Sequence, residues 1–177
     1  MPVYQESELI VSLADDNHFR FCDCRTYQKL SGSYLKEMDF GWWNAEKECL
    51  YLMELKDFSS LTADEQLADK FIEDIILCVV DCLLMLSAIW TNSEKGQSLH
   101  ADLTQTCPAF SRQLCRVKIV IVVKIEARHA RSWLSPLLDR LRSRIKSKVS
   151  LLDIDPKNDI QLLTHEVAKR LGLPVDY

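Results

Sequence analysis

The strongest chemical signal in the chain is a set of acids and one lysine placed where apolar residues would be expected. Glu54 and Lys56 stand two apart in the run Leu50-Tyr51-Leu52-Met53-Glu54-Leu55-Lys56. An extended chain sends residues two apart to the same face. An earlier extended run, Tyr34–Trp43, carries Glu37 and Asp39, and the polar residues Asn44-Ala45-Glu46 separate it from Lys47–Lys56, so the segment predicts a β-hairpin. With the turn centred near residues 45 and 46, Asp39 falls opposite Leu52, Glu37 opposite Glu54 and Leu35 opposite Lys56. Asp39 and Glu54 are then diagonal neighbours roughly 7–8 Å apart, close enough for their carboxylates to share a cation. Like charges across strands destabilise a sheet, so these acids call for a compensating cation or for a sheet face open to water. A turn shifted by one residue would send Glu54 and Lys56 away from Asp39.

An acid on one strand and Glu-x-Lys on the next resembles the PD-(D/E)XK nuclease superfamily, with its restriction-endonuclease-like fold. The matching residues are Asp39 in MDFGWW and Glu54-Leu55-Lys56 in LYLMELKD, with Met38 where the family's frequent Pro would stand. The resemblance implies an α/β domain with an αβββαβ core, a mixed sheet flanked by helices, over about residues 5–150. It implies a hydrolase: an endonuclease that uses Mg²⁺ or Mn²⁺ on nucleic acid, with DNA ahead of RNA. Asp39, Glu54 and the Leu55 carbonyl would be metal ligands, oxygen donors that suit such hard cations. Asp39, Glu54 and Lys56 would be catalytic, Lys56 orienting the nucleophile or stabilising the transition state. Glu37, Gln66 and Lys70 are accessory candidates, as is an acid near the N-terminus, Glu6 or Glu8. A non-catalytic α/β subunit that keeps the fold and binds nucleic acid or protein is the alternative.

These residues need a scaffold, and 177 residues at 47% hydrophobic suffice for one domain with its own core. Residues 5–14 read as a short helix with Leu9, Ile10 and Leu13 inward, and Phe19–Thr26 as a first strand followed by a turn over Tyr27–Ser33. Thr62, with Glu65 three residues on, has capping-box spacing and starts a long helix to Trp90. Phe71–Trp90 is long enough for a membrane span, but Glu73, Asp74 and Asp81 within it each cost about 2.5–3.5 kcal/mol in a bilayer, so a buried helix is expected. Asp74 and Asp81 are expected in solvent. The apolar surface of Ile75–Trp90 exceeds what one small sheet covers and points to a homodimer.

Residues 91–113 predict a short helix near Leu99–Thr104 or a flap. Arg116–Ala127 predicts a central strand, apolar on both faces and parallel to its partner across the long-helix crossover. A helix over His129–Lys148 with Pro136 in its early turn, a strand within Ser147–Asp155 and a last helix over Asp159–Leu171 complete the reading.

Charge is polarised along the chain. Between Arg112 and Lys148 eleven Lys and Arg face two acids, net +9, against net −13 elsewhere and −4 overall. Arg140, Arg142, Arg144, Lys146 and Lys148 on the basic helix are therefore candidates for phosphate contacts. Seven cysteines without a C-x-x-C pair, and a start lacking a signal-peptide pattern, point to reduced thiols and a cytoplasmic setting; buried thiols are favoured over a zinc site at Cys22, Cys24 and His18 or His129. The absence of a Gly-rich phosphate loop or G-x-S-x-G removes support for nucleotide-dependent and acyl-transfer chemistry.

Overall fold

A computed structural model describes residues 2–14, 16–32, 35–58, 65–110 and 113–176, without the side chains of residues 31, 65–67, 127–129 and 131. Tyr34, Thr62 with its cap, Arg112 and the Gln66 side chain lie outside this description. The chain is mixed α/β. Among the described residues, five strands form one mixed sheet: β3 (His18–Phe19), β4 (Phe40–Asn44), β5 (Cys49–Asp57), β6 (Arg116–Lys124) and β7 (Ile160–Thr164), in that order. The first three pair antiparallel, whereas β5, β6 and β7 run parallel.

Between β5 and β6 run α2 (Glu65–Trp90) and α3 (Glu94–Thr106), so the strand–helix–strand crossover is present and its strands are parallel as expected. Ile72, Ile75, Val79, Cys82, Leu86 and Ile89 recur at alternating three- and four-residue steps along α2, all at most 1% exposed. That stripe packs on Leu50, Leu52, Ile119, Ile121 and Val123 of the sheet, with α3 and α4 (Ala127–Val149) contributing to the same core. Each such side chain contributes about 1.5–3 kcal/mol by leaving water. Much of the apolar surface behind the homodimer expectation is thus covered within the chain. Leu77 and Leu84 remain exposed, at 42% and 59%.

The opposite face of the sheet, from Tyr51, Met53, Leu55, Val120 and Val122, packs on a second layer. That layer contains the hairpin of β1 (Val3–Glu6) and β2 (Leu9–Ser12), with β8 (Val175–Asp176) alongside β2, and Ala168 of α6 (His165–Arg170). The N-terminal helix expected over residues 5–14 is therefore a β-hairpin. Leu9, Val11 and Leu13 are all buried, and that two-residue period decides it.

Other boundaries also differ. The strand expected over Phe19–Thr26 ends at Phe19, and α1 (Arg25–Ser31) occupies most of the expected turn. α4 runs through Pro136 to Val149, and a 3-10 turn, Ser150–Leu152, with Asp153 at φ 56°, replaces the strand expected within Ser147–Asp155. The expected last helix is split. α5 (Pro156–Asp159) comes first, then Ile160–Thr164 is drawn into the sheet because its residues pair with Ile119–Val123, leaving α6 to start at the Thr164 cap.

The α2–α3 junction tolerates no side chain at Gly96, where a Cβ would lie 1.9 Å from the Ala88 carbonyl oxygen. The obstacle is backbone and cannot rotate away. Gly96→Ala is expected to cost about 1–3 kcal/mol, read as a lower urea midpoint; an unchanged midpoint would contradict this packing.

Candidate active site

Glu54 follows Leu50 and Leu52 on the core face of β5 and is 2% exposed, although a buried carboxylate is costly unless it is paired or hydrogen-bonded. Its partners are the main-chain N–H of Asp39, which donates to Glu54 Oε2 at 3.3 Å, and Lys56 Nζ, 2.5 Å from Oε1. In return the N–H of Leu55 donates to Asp39 Oδ2 at 2.7 Å. The two acids therefore hold each other's strands. No donor among the described residues reaches Asp39 Oδ1.

This arrangement comes from a register shifted by two residues relative to expectation. The turn spans four residues, 45–48, with Glu48 at φ 46°, so Gly41 faces Leu52 and Phe40 faces Met53. A two-residue shift keeps every side chain on its expected face. It moves Asp39 from a diagonal position to one residue beyond the last ladder pair, Phe40 and Met53, beside Glu54, and it moves Glu37 from opposite Glu54. The expected strand Tyr34–Trp43 is shortened to Phe40–Asn44 because the preceding N–H groups bond to side chains instead of a ladder. Lys36 N–H donates to Asp81 at 2.9 Å, Met38 N–H to Cys82 Sγ at 3.1 Å, and Asp39 N–H to Glu54. Asp81, expected in solvent, is buried by this role, and Asp74 pairs with Lys36 Nζ at 2.9 Å.

Crowding shows in the proton affinities. Burial, reinforced by the Asp39 charge, pushes the Glu54 carboxyl up to about 7 against the opposing pull of Lys56. Burial also raises Asp39, partly offset by the Leu55 N–H and by Lys56. Burial works to lower Lys56, but the Glu54 carboxylate reverses it and holds the ammonium above its usual range. Burial lifts Glu37 as well, with the Asp39 charge adding to it. Cys78, on the α2 face toward this site, is raised to about 12, first by burial and then by the Glu54 charge.

The structure thus brings Asp39, Glu54 and Lys56 together, with Glu37 in electrostatic reach. Lys70 is exposed on α2. The basic residues of α4 have other partners: Arg140 and Arg144 pair with Asp69, the latter at 2.8 Å, and Arg142 Nη2 donates to the carbonyls of Lys157 and Ile160 at 2.8 and 2.7 Å. Lys146 and Lys148 are exposed. Sequence reasoning missed Ser7, whose Oγ donates to the Leu55 carbonyl at 2.9 Å, and Arg20, which pairs with Glu6 at 2.6 Å. Both act with Glu6 around Asp39, Glu6 and Arg20 through their charges on that carboxyl. The buried alternation of Leu9, Val11 and Leu13 was the signal that could have placed this hairpin.

Two carboxylates and a main-chain carbonyl form a hard-oxygen donor set, which fits Mg²⁺ or Mn²⁺ rather than a soft ion. Among the described residues no group of three His, Cys, Asp or Glu side chains is placed to hold a metal, and all seven cysteines are free, so the zinc alternative has no support among them. No helix among the described residues is long and apolar enough to cross a membrane. Comparison with family models, curated proteins and solved structures returns no match.

Because the folded Glu54 carboxyl binds its proton more tightly than its ordinary value of 4.5, its contribution to the stability of the metal-free protein is fully present below that value and is lost as pH rises toward about 7. One proton sets a slope of at most about 1.4 kcal/mol per pH unit, and the raised Asp39 adds to it. Urea melts of chelator-treated protein across this window should show that slope, reduced in Glu54→Gln. A parent whose stability rises with pH would contradict the assignment.

Proposed function

We propose that the chain is a metal-dependent endonuclease of the PD-(D/E)XK type that hydrolyses phosphodiester bonds in nucleic acid, with DNA as the first substrate to test. The observation that carries this reading is the pair of a half-buried Asp39 and a buried Glu54, with Lys56 on Glu54, at the C-terminal end of a central strand. The order β3, β4, β5, α2, β6 supports a restriction-endonuclease-like core. It departs from αβββαβ in having a β-hairpin where the first helix would be, and α1 between the first two core strands.

Asp39 and Glu54 would hold the cation with the Leu55 carbonyl. Mg²⁺ is commonly held by one or two carboxylates plus substrate phosphates, so a two-carboxylate set is sufficient for this role. A bound divalent cation supplies a water of lowered pKa and offsets phosphate charge. Asp39 and Glu54 would balance the charge of that cation on the sheet face where Leu50 and Leu52 pack against α2. Lys56 Nζ, 36% exposed along its side chain, holds a proton at the solvent edge of the pair, where it can orient a water or donate to a phosphate oxygen.

Asp39→Ala and Glu54→Ala are expected to abolish Mg²⁺- or Mn²⁺-dependent cleavage of DNA and RNA substrates. Lys56→Ala should retain the cation and slow cleavage by about 10²–10³. Cleavage surviving both acid substitutions would exclude this site.

A second reading is a non-catalytic nucleic-acid or protein-binding subunit, in which Arg140 and Arg144 are already paired with Asp69 rather than free for phosphates. Nucleic-acid binding through α4 would fall mainly to Lys146 and Lys148. Each phosphate contact contributes about 0.9 to the salt slope on duplex DNA, so replacing both with Ala should flatten that slope. A slope that does not change would place the interface elsewhere.

A further inference from the structure

β1 and β2 are joined by Ser7 and Glu8, both left-handed, at φ 50° and 58°. Two consecutive left-handed residues make the hairpin turn that Asn-Gly or Gly-Gly adopts most easily, because a Cβ is disfavoured there. Ser-Glu is a costly choice for that turn, and strained backbone persists where its side chains are needed.

Here all three residues at the tip make side-chain contacts outside their own hairpin. Glu6 pairs with Arg20 at 2.6 Å, Ser7 Oγ donates to the Leu55 carbonyl at 2.9 Å, and Glu8 pairs with Lys124 at the end of β6. Lys124 stands opposite Asp57 in the ladder, and its carbonyl accepts the N–H of Phe58 at 2.7 Å. The turn is thereby fixed to the C-terminal ends of two adjacent strands.

Leu55 is the centre of this arrangement. In a strand the N–H and C=O of one residue leave by the same edge. Asp39 Oδ2 takes the N–H of Leu55 and Ser7 Oγ takes its carbonyl, so both polar main-chain groups of the middle residue in Glu54-Leu55-Lys56 are held by side chains. No ladder partner does this work, because β4 begins only at Phe40. The peptide planes on either side of Leu55 set where the Glu54 and Lys56 side chains leave the strand.

We propose that Ser7 is a positioning residue of the acid-pair site. It fixes the Leu55 carbonyl as an oxygen donor for the divalent cation and holds Glu54 and Lys56 at their spacing. The proposal rests on the metal-dependent reading above. Removing an outer-shell partner of a metal ligand commonly costs about 10–100-fold in metal affinity or activity.

The test separates the bond from the turn. Ser7→Gly relaxes the left-handed position and removes the donor, whereas Ser7→Asn also suits that position and keeps a side-chain N–H. Mn²⁺ affinity, from the paramagnetic resonance signal of the free ion, is measured on parent and variants beside thermal melting and cleavage rate. Ser7→Gly should melt no lower than the parent yet bind Mn²⁺ about 10–100-fold more weakly and cleave more slowly, and Ser7→Asn should recover most of that loss. A parent that binds Mn²⁺ no more tightly than Ser7→Gly overturns the role of Ser7 and leaves the acid-pair reading intact. A parent that neither binds Mn²⁺ nor cleaves overturns that reading and this one with it.

Discussion

The reciprocal bonds between Asp39 and the Glu54–Leu55 segment are the constraint on which the rest of this region depends. One acid takes the main-chain N–H beside the other, and each does so across the point where the β4–β5 ladder stops. A charged acceptor strengthens each bond relative to a neutral one. The same bonds bring two carboxylates together, Glu54 buried and Asp39 half-buried; burial raises the proton affinity of both, and the Asp39 charge adds to it at Glu54. Lys56 offsets part of it. A buried charge pair held this way is poor value as a stabilising device, since an apolar pair of similar volume would fit the face of Leu50 and Leu52 without desolvating ions.

The surrounding elements can be understood as supports for that pair. Lys36 and Met38 are stitched to α2 through Asp81 and Cys82, which leaves residues 35–39 extended beside the helix rather than paired to β5. α2 in turn is fixed by its stripe from Ile72 to Ile89 against the sheet. On the other side, the β1–β2 turn closes the edge that β4 does not reach. Asp39 and Ser7, from two separate parts of the chain, therefore meet at one residue, Leu55.

Much of the central architecture was legible in the sequence because its signals are local and periodic. Arg116–Lys124 announces a two-faced strand through its unbroken Val and Ile, and the long helix before it announces itself through length and spacing. The shared face of Asp39, Glu54 and Lys56 was also legible, since a two-residue register shift leaves face parity intact. The register itself was not, because it depends on a four-residue turn whose Glu48 adopts a conformation that its type does not advertise. The N-terminal hairpin was hidden for a similar reason: Ser7-Glu8 lacks the Asn or Gly that marks such turns. Ile160–Thr164 read as helix because its strand character comes from the neighbouring edge of β6, a tertiary effect that outweighs local preference. The burial of Asp81 could not be read from its helix, because its partner, the Lys36 N–H, comes from a distant part of the chain.

The proposed function requires a divalent cation to relieve the Asp39–Glu54 crowding. Thermal melting of the parent at about pH 8, with and without Mn²⁺, tests it most directly, because a ligand at about 100 times its dissociation constant stabilises the folded state by about 2.7 kcal/mol. The account predicts a melting temperature that rises with Mn²⁺ in the parent and stays fixed in Asp39→Asn and Glu54→Gln. A parent that melts at the same temperature with and without Mn²⁺, or a rise that persists in both variants, would contradict it.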